Sequence, residues 1–256
     1  MNICSYIDHT LLKPTATFND LNKLCEEALH YHFAAVCIPP PFVKQAKIII
    51  KDSGVKTATV IGFPFGYSSI QSKLAETEQA IIDGADELDV VINLIALKNG
   101  DWKHLEDEMK KITTLAHAKE KIIKVIIESG VLTDDEIKKC CEVYSKIGVD
   151  FLKTSTGYAE KGASVEAVAL MKENLPASVK IKASGGIRTY EFAKKLIDAG
   201  ASRLGCSSSV AIVTEAKLSS HVDYLNKNYE KDKCVYLFDD HHKIICTNKF
   251  RFSGCA

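Results

Sequence analysis

The sequence predicts an α/β fold: an eight-stranded parallel (β/α)8 TIM barrel with a short C-terminal appendage. Three observations predict it. Short apolar, β-branched runs alternate strictly with amphipathic stretches, the pattern of a parallel sheet whose crossovers are helices. Eight such runs occur, the number that closes this barrel, and 256 residues suit one barrel domain. The glycine cluster Ile61-Gly-Phe-Pro-Phe-Gly66 lacks the G-x-G-x-x-G spacing that an open dinucleotide-binding sheet would need.

The expected strands are 6–11, 34–38, 57–63, 87–93, 124–128, 151–156, 181–184 and 203–207. Each precedes a helical pattern, at 19–30, 41–52, 72–84, 102–118, 133–148, 164–174, 189–199 and 209–225. Thr133 followed by Glu136 is a Thr-x-x-Glu capping box at a helix start. Gly84, Gly148 and Gly200 fall where helices should stop. Residues 1–226 are therefore assigned to the barrel and 227–256 to a C-terminal extension. There Cys234-Val-Tyr-Leu-Phe238 and Lys243-Ile-Ile-Cys246 flank Asp239-Asp-His-His242, the pattern of a β-hairpin with a polar turn.

Composition excludes several classes of partner. Thirty-three basic and 33 acidic residues cancel, so no bulk field favours nucleic acid. No apolar run approaches the roughly 20 residues that span a bilayer, so no membrane partner is expected. Met1-Asn-Ile-Cys-Ser-Tyr-Ile-Asp8 has neither the basic nor the apolar region of a signal peptide. Nine cysteines, an odd number, read as reduced thiols, and the expected location is cytoplasmic. His241-His242 with Cys234, Cys246 and Cys255 lack the short cysteine pairing of structural zinc sites, so no metal is expected.

The chemistry is suggested by two segments, Phe151-Leu-Lys-Thr-Ser-Thr-Gly157 and Lys180-Ile-Lys-Ala-Ser-Gly-Gly186. Each sets a lysine (Lys153, Lys182) within a strand-like run that ends in small hydroxyl or glycine residues. Desolvation and a neighbouring cation both lower a lysine's pKa and leave a nucleophilic amine, so the pair suggests Schiff-base catalysis. Asp89 interrupts the otherwise apolar end of Glu87-Leu-Asp-Val-Val-Ile-Asn93, where a carboxylate must be paired or catalytic. The competing explanation is an internal salt-bridge network that merely fills the barrel. Lys180, nearest the strand start, reads as a surface lysine, and Cys37 as a small buried hydrophobe. Gly157, Gly185, Gly186, Ser207 and Ser208 follow the last three strands, where barrels commonly bind phosphate, so the expected substrate is a phosphorylated small molecule.

These segments resemble the deoxyribose-phosphate aldolase family. Asp8-His-Thr-Leu-Leu-Lys-Pro14, Ala35-Val-Cys-Ile38, Ala58-Thr-Val-Ile-Gly-Phe-Pro64, Gly84-Ala-Asp-Glu-Leu-Asp-Val-Val-Ile-Asn93, Lys153-Thr-Ser-Thr-Gly157, Lys182-Ala-Ser-Gly-Gly-Ile-Arg-Thr189 and Gly205-Cys-Ser-Ser208 carry the resemblance, in order, from about Tyr6 to about Val213. It implies a class I aldolase that reversibly cleaves 2-deoxy-D-ribose 5-phosphate to acetaldehyde and D-glyceraldehyde 3-phosphate, in deoxyribonucleotide catabolism, with no metal or organic cofactor. It implies Lys153 as the Schiff-base lysine, Lys182 as the charge that lowers its pKa and takes part in proton transfer, and Asp89 as a general acid/base acting through a water. Gly157, Gly185, Gly186, Ser207 and Ser208 would hold the phosphate, with Asp8, Thr10 and Thr156 lining the sugar end. A homo-oligomer, dimer or tetramer, is the family's usual state.

Two departures stand out. Tyr158 follows Gly157 where some relatives carry a basic residue, which throws the phosphate onto backbone N–H groups and hydroxyls. The stretch beyond about Lys227 follows no family pattern, and Tyr236 is the tail residue considered in place of a C-terminal tyrosine. Two other functions fit part of the pattern. Another Schiff-base phosphosugar aldolase or transaldolase would share the lysine, but the Lys153–Lys182 pairing and the Asp89 segment favour deoxyribose phosphate. A binding or scaffold barrel would have no reason to keep a costly lysine pair.

Overall fold

The computed structural model describes residues 2–229, 234–238 and 244–248, with side-chain surroundings described as far as His221. Eight strands close in sequence order into a barrel. They are β1 (Ile7–Thr10), β2 (Ala35–Ile38), β3 (Lys56–Ile61), β4 (Glu87–Val91), β5 (Ile122–Ile126), β6 (Phe151–Lys153), β7 (Lys180–Ser184) and β8 (Arg203–Cys206). Every neighbouring pair is parallel, and β8 pairs back onto β1 through Ile7–Leu204 and Asp8–Gly205.

The helices are α1 (Phe18–Tyr31), α2 (Val43–Ile49), α3 (Ile70–Ile82), α4 (Leu94–Lys98), α5 (Trp102–His117), α6 (Asp134–Ile147), α7 (Val165–Asn174), α8 (Tyr190–Asp198) and α9 (Ser209–Tyr229). The Thr133–Glu136 capping box forms, and Gly148 closes α6 with φ of 84°. Three features depart from the expected elements. The pattern at 41–52 resolves into a 3-10 turn (Pro40–Phe42) and the shorter α2. The five-residue α4 was not expected; it starts where the Asn93 side chain accepts the Ala96 N–H. α9 runs past the boundary expected at 226. Beyond it, β9 (Cys234–Phe238) pairs antiparallel with β10 (Ile244–Asn248). The turn expected at 239–242 and the side chain of Tyr236 lie outside the described residues.

Period-two alternation along each strand divides the protein into two interiors. Outward residues such as Ile7, Val36, Leu88, Val90, Ile123, Val125, Leu152, Ile181 and Leu204 join the helices in one large apolar cluster. Inward residues of β2 and β3 form a second, small apolar cluster of Ala35, Cys37, Ala58 and Val60. Charged residues occupy the inward face of the other strands: Asp8, Glu87, Asp89, Lys124, Lys153, Lys182 and Arg203. Ion pairs that join non-neighbouring strands, Arg203–Glu87 from β8 to β4 and Lys182–Asp89 from β7 to β4, can only cross the barrel. Stability thus comes mainly from the layer between strands and helices, while the barrel interior is free to hold charge.

Candidate active site

Asp89 is the hub of the interior. It is fully buried, and its Oδ1 accepts from Lys124 Nζ at 2.8 Å. Its Oδ2 accepts from both Lys153 Nζ and Lys182 Nζ at 2.7 Å, and Cys37 Sγ lies 3.9 Å from the same oxygen. Lys182 also donates to Asp8. Lys124 reaches Glu87 at 2.6 Å and Asp8 at 3.8 Å, and Arg203 bridges Asp8 and Glu87.

The network sets the charge of each member. Burial alone would raise the Asp89 carboxyl, but Lys124, Lys153 and Lys182 outweigh it and hold it well below the usual range. Burial likewise works against Asp8, yet Lys182, Arg203 and Lys124 bring it down to about 2. Burial disfavours the Lys182 cation, but Asp8 and Asp89 together push its pKa well above normal, and Lys124 is raised by Asp89 and Glu87 in the same way. Lys153 goes the other way: burial lowers it, Asp89 opposes, and the Lys182 charge lowers it further. The cause is countable. Lys124, Lys182 and Arg203 each touch at least two carboxylates, whereas Lys153 shares its single carboxylate with two other cations. Three interior carboxylates face four cations, so Lys153 has no carboxylate of its own.

A cavity of about 520 Å³ opens at the C-terminal ends of β1 and β6–β8, the end where barrels of this class carry their chemistry. Of the four interior cations, only Lys153 reaches its wall; Asp89 and Lys182 lie beneath. Thr10, Thr156, Gly157, Gly185, Gly186 and Ser207 line it as well. Ser208 is half-buried outside the wall, where its carbonyl accepts the Ile212 N–H of α9. Asp8, expected at the sugar end, is instead fully buried below the cavity, its two oxygens taken by Lys182 and Arg203. The inward register of β1 puts Asp8 one layer deeper than Thr10.

The expected strand 151–156 stops at Lys153: the Thr154 N–H still reaches the Lys182 carbonyl, but Thr156 turns to a side-chain partner. Thr156 donates its N–H and its hydroxyl to Glu128, and the same hydroxyl oxygen accepts the Tyr158 N–H at 3.0 Å. Glu128 takes a left-handed conformation (φ 55°, ψ 55°) that costs a non-glycine residue roughly 1 kcal/mol or more, a strain found mainly at functional sites. The glycines beyond β6 and β7 pack backbone to backbone: a Cβ on Gly185 would stand 3.0 Å from Gly162 Cα and 3.4 Å from Gly157 Cα. Tyr158 donates from its hydroxyl to the Leu12 carbonyl at 2.8 Å and meets Phe63 edge-on at 5.4 Å, tying two loops of the mouth together. Lys180 is exposed near the Phe151 ring. Among the described residues no group of three His, Cys, Asp or Glu side chains could hold a metal ion, and no helix is long and apolar enough to cross a membrane.

Sequence reasoning missed Lys124, Glu87 and Arg203 as members of the site. Lys124 carries the signal that exposed Lys153 and Lys182, a lysine inside Ile122-Ile-Lys-Val-Ile126.

Comparison with known proteins agrees with this geometry. Residues 3–213 match the family described as DeoC/LacD family aldolase. A deoxyribose-phosphate aldolase of Caldicellulosiruptor saccharolyticus is 50% identical over 214 residues, 83% of this chain and 97% of that protein. One of Thermococcus gammatolerans is 49% identical over 219 residues, 85% of this chain and 97% of that protein. Among solved structures, a putative deoxyribose-phosphate aldolase from Coccidioides immitis superposes with a TM-score of 0.81 at 40% identity, covering 84% of this chain and 86% of that one. The tetrameric deoxyribose phosphate aldolase from Aeropyrum pernix gives 0.79 at 33% identity, covering 84% and 91%.

Proposed function

This chain belongs to the DeoC/LacD aldolase family, and from that premise we propose that it cleaves 2-deoxy-D-ribose 5-phosphate reversibly to acetaldehyde and D-glyceraldehyde 3-phosphate through a Schiff base on Lys153. One observation carries the assignment of the lysine. Of the three amines on Asp89, Lys153 alone is depressed in pKa and alone reaches the cavity.

The neutral Lys153 amine adds to the C1 aldehyde, and loss of water from the carbinolamine gives the iminium ion. Deprotonation of the C3 hydroxyl lets the C2–C3 bond break, its electron pair forming the enamine while D-glyceraldehyde 3-phosphate leaves. Protonation of the enamine at C2 and hydrolysis of the resulting iminium release acetaldehyde and restore the amine. In this scheme the Lys182 charge keeps Lys153 neutral at the start of the cycle, and Lys182 takes part in proton transfer. Asp89 takes and returns protons through a water during the carbinolamine and enamine steps. Asp8 holds Lys182 in its cationic form. Gly157, Gly185, Gly186 and Ser207 cradle the phosphate with backbone N–H groups and hydroxyls, while Thr10 and Thr156 face the sugar.

Borohydride reduction in the presence of deoxyribose 5-phosphate, followed by peptide mass spectrometry, tests the mechanism. The expected result is a covalent adduct on Lys153, absent in Lys153→Ala. An adduct on another lysine, or none on folded protein, refutes it. We further propose a homo-oligomer in the cytoplasm, supported by the tetrameric relative and by six free cysteines among the described residues. Light scattering that returns a monomer mass would refute the oligomer.

A further inference from the structure

One buried polar chain lies outside the charged interior and has no part in the steps above. His9 of β1 points outward between the barrel and the helices, is 3% exposed, and with Glu27 reaches the rim of the cavity. Its Nε2 is 2.7 Å from Glu27 Oε2 of α1, its Nδ1 is 2.9 Å from Ser209 Oγ at the start of α9, and Phe33 meets the ring edge-on. Ser209 is fully buried, and its hydroxyl also lies 2.9 Å from the Cys206 carbonyl.

Ser209 has a single hydroxyl proton, and the Cys206 carbonyl can only accept it, so Oγ is held between that carbonyl and the His9 Nδ1, each 2.9 Å away. Burial disfavours the charged ring, against the pull of Glu27. The ring therefore orients Ser209 and, through it, the turn that carries Ser207 into the cavity wall. The first turn of α9 holds no acidic residue, leaving its free N–H groups and positive dipole end available to an anion. The flanking outward positions of β1, Ile7 and Leu11, are filled by apolar side chains at no such cost.

We propose that His9 is a positioning residue for the substrate phosphate: through Ser209 it holds the Cys206–Ser209 turn and the start of α9 in register with Gly185 and Gly186. This rests on the phosphate reading given above. The test compares kcat/KM for 2-deoxyribose 5-phosphate with that for unphosphorylated 2-deoxyribose in wild type, His9→Leu, His9→Asn and Ser209→Ala. Their ratio cancels the folded fraction, so a destabilised variant remains informative. His9→Leu and Ser209→Ala should each lower the ratio roughly tenfold through KM for the phosphorylated substrate, the equivalent of one lost hydrogen bond. His9→Asn, whose amide can place either its oxygen or its N–H where Nδ1 stood, should keep the ratio within about threefold of wild type. A wild-type ratio preserved in His9→Leu and Ser209→Ala, as equal losses on both substrates would leave it, overturns the proposal alone. A wild type with no preference for the phosphorylated sugar overturns the phosphate reading and the proposal together.

Discussion

Replacing Lys124 by Met should move the reactivity of Lys153 to higher pH, although Lys124 touches neither the cavity nor Lys153 itself. The two nitrogens bind opposite oxygens of Asp89, at 2.8 and 2.7 Å, which keeps them within about 8 Å of one another. Like charges at that separation repel by about 2 kcal/mol at an effective dielectric of ~20, or about 1.5 pK units. Removing Lys124 lifts that repulsion, frees more of Asp89 for Lys153, and leaves three cations facing three carboxylates, so the interior is balanced with Lys153 protonated. Every term raises the Lys153 pKa. The acid limb of kcat/KM, which reports the free enzyme's essential groups, should shift upward by one to two units, and activity below that limb should fall by up to roughly 30-fold. Stability will suffer too, by roughly 3–5 kcal/mol, because Glu87 and Asp89 lose a partner. Lost stability lowers the amplitude of the profile and leaves its midpoint alone, and Lys124→Arg restores the charge. A pH–rate profile for Lys124→Met with an unmoved midpoint would refute the charge-balance argument.

Lys182→Leu should act in the same direction and more strongly, since Lys182 and Lys153 share one oxygen of Asp89; borohydride trapping against pH should shift by about two units or more, and an unchanged profile contradicts the role of Lys182. Asp8 is held at about 2 when folded against about 3.9 unfolded, so the unfolded chain protonates first on acidification. Its contribution, on the order of 2–3 kcal/mol, is complete above about pH 4 and lost as pH falls towards 2; urea midpoints measured across that window should drop, and a flat series contradicts the pairing. Lys73 and Glu108 form a fully buried pair at 2.7 Å behind β4. Lys73→Met alone should cost roughly 3–5 kcal/mol by stranding Glu108, and Lys73→Met with Glu108→Leu should recover most of it; a double variant no more stable than the single one by thermal melting would contradict that reading.

The strands were legible because their apolar runs are bounded by turn residues, and the helices because their caps and amphipathic faces recur. Helix α4 was not, since five residues are too few to display a helical period. Thr154–Thr156 prolonged a β-like composition beyond Lys153, yet Thr154 pairs its hydroxyl with Ser184 of β7 and Thr156 turns to Glu128. Lys153 and Lys182 stood out because each breaks an apolar run beside small hydroxyl or glycine residues, and Asp89 because a carboxylate in an apolar run must be paired or catalytic. Lys124 breaks a run just as sharply but has apolar residues on both sides, so its composition resembles core. The pairings that govern reactivity, Arg203 with Glu87 and Lys182 with Asp8, join strands through the barrel axis or its closing seam, and neither partner's sequence neighbours carry a trace of the other. His9 was hidden for the same reason: Glu27 and Ser209 approach it from helices 18 and 200 positions away.

One rule accounts for the direction in which the buried cations among the described residues shift, and it separates reactive groups from structural ones. Desolvation disfavours each cation, and a single contacting carboxylate does not repay it, whereas two do. Lys124, Lys182 and Arg203 touch two or more carboxylates and are raised. Lys153 touches Asp89 alone, Lys73 touches Glu108 alone and His9 touches Glu27 alone, and all three are lowered. A lowered lysine is thus a consequence of local stoichiometry, and it becomes a nucleophile only where a substrate can reach it. Lys73 is fully enclosed, with its amine spent on Glu108 and the Val91 carbonyl; Lys153 faces a cavity. The surplus cation in the barrel interior is what leaves Lys153 short of a carboxylate of its own, so the same charge count that sets the cost of this interior also selects the amine that reacts.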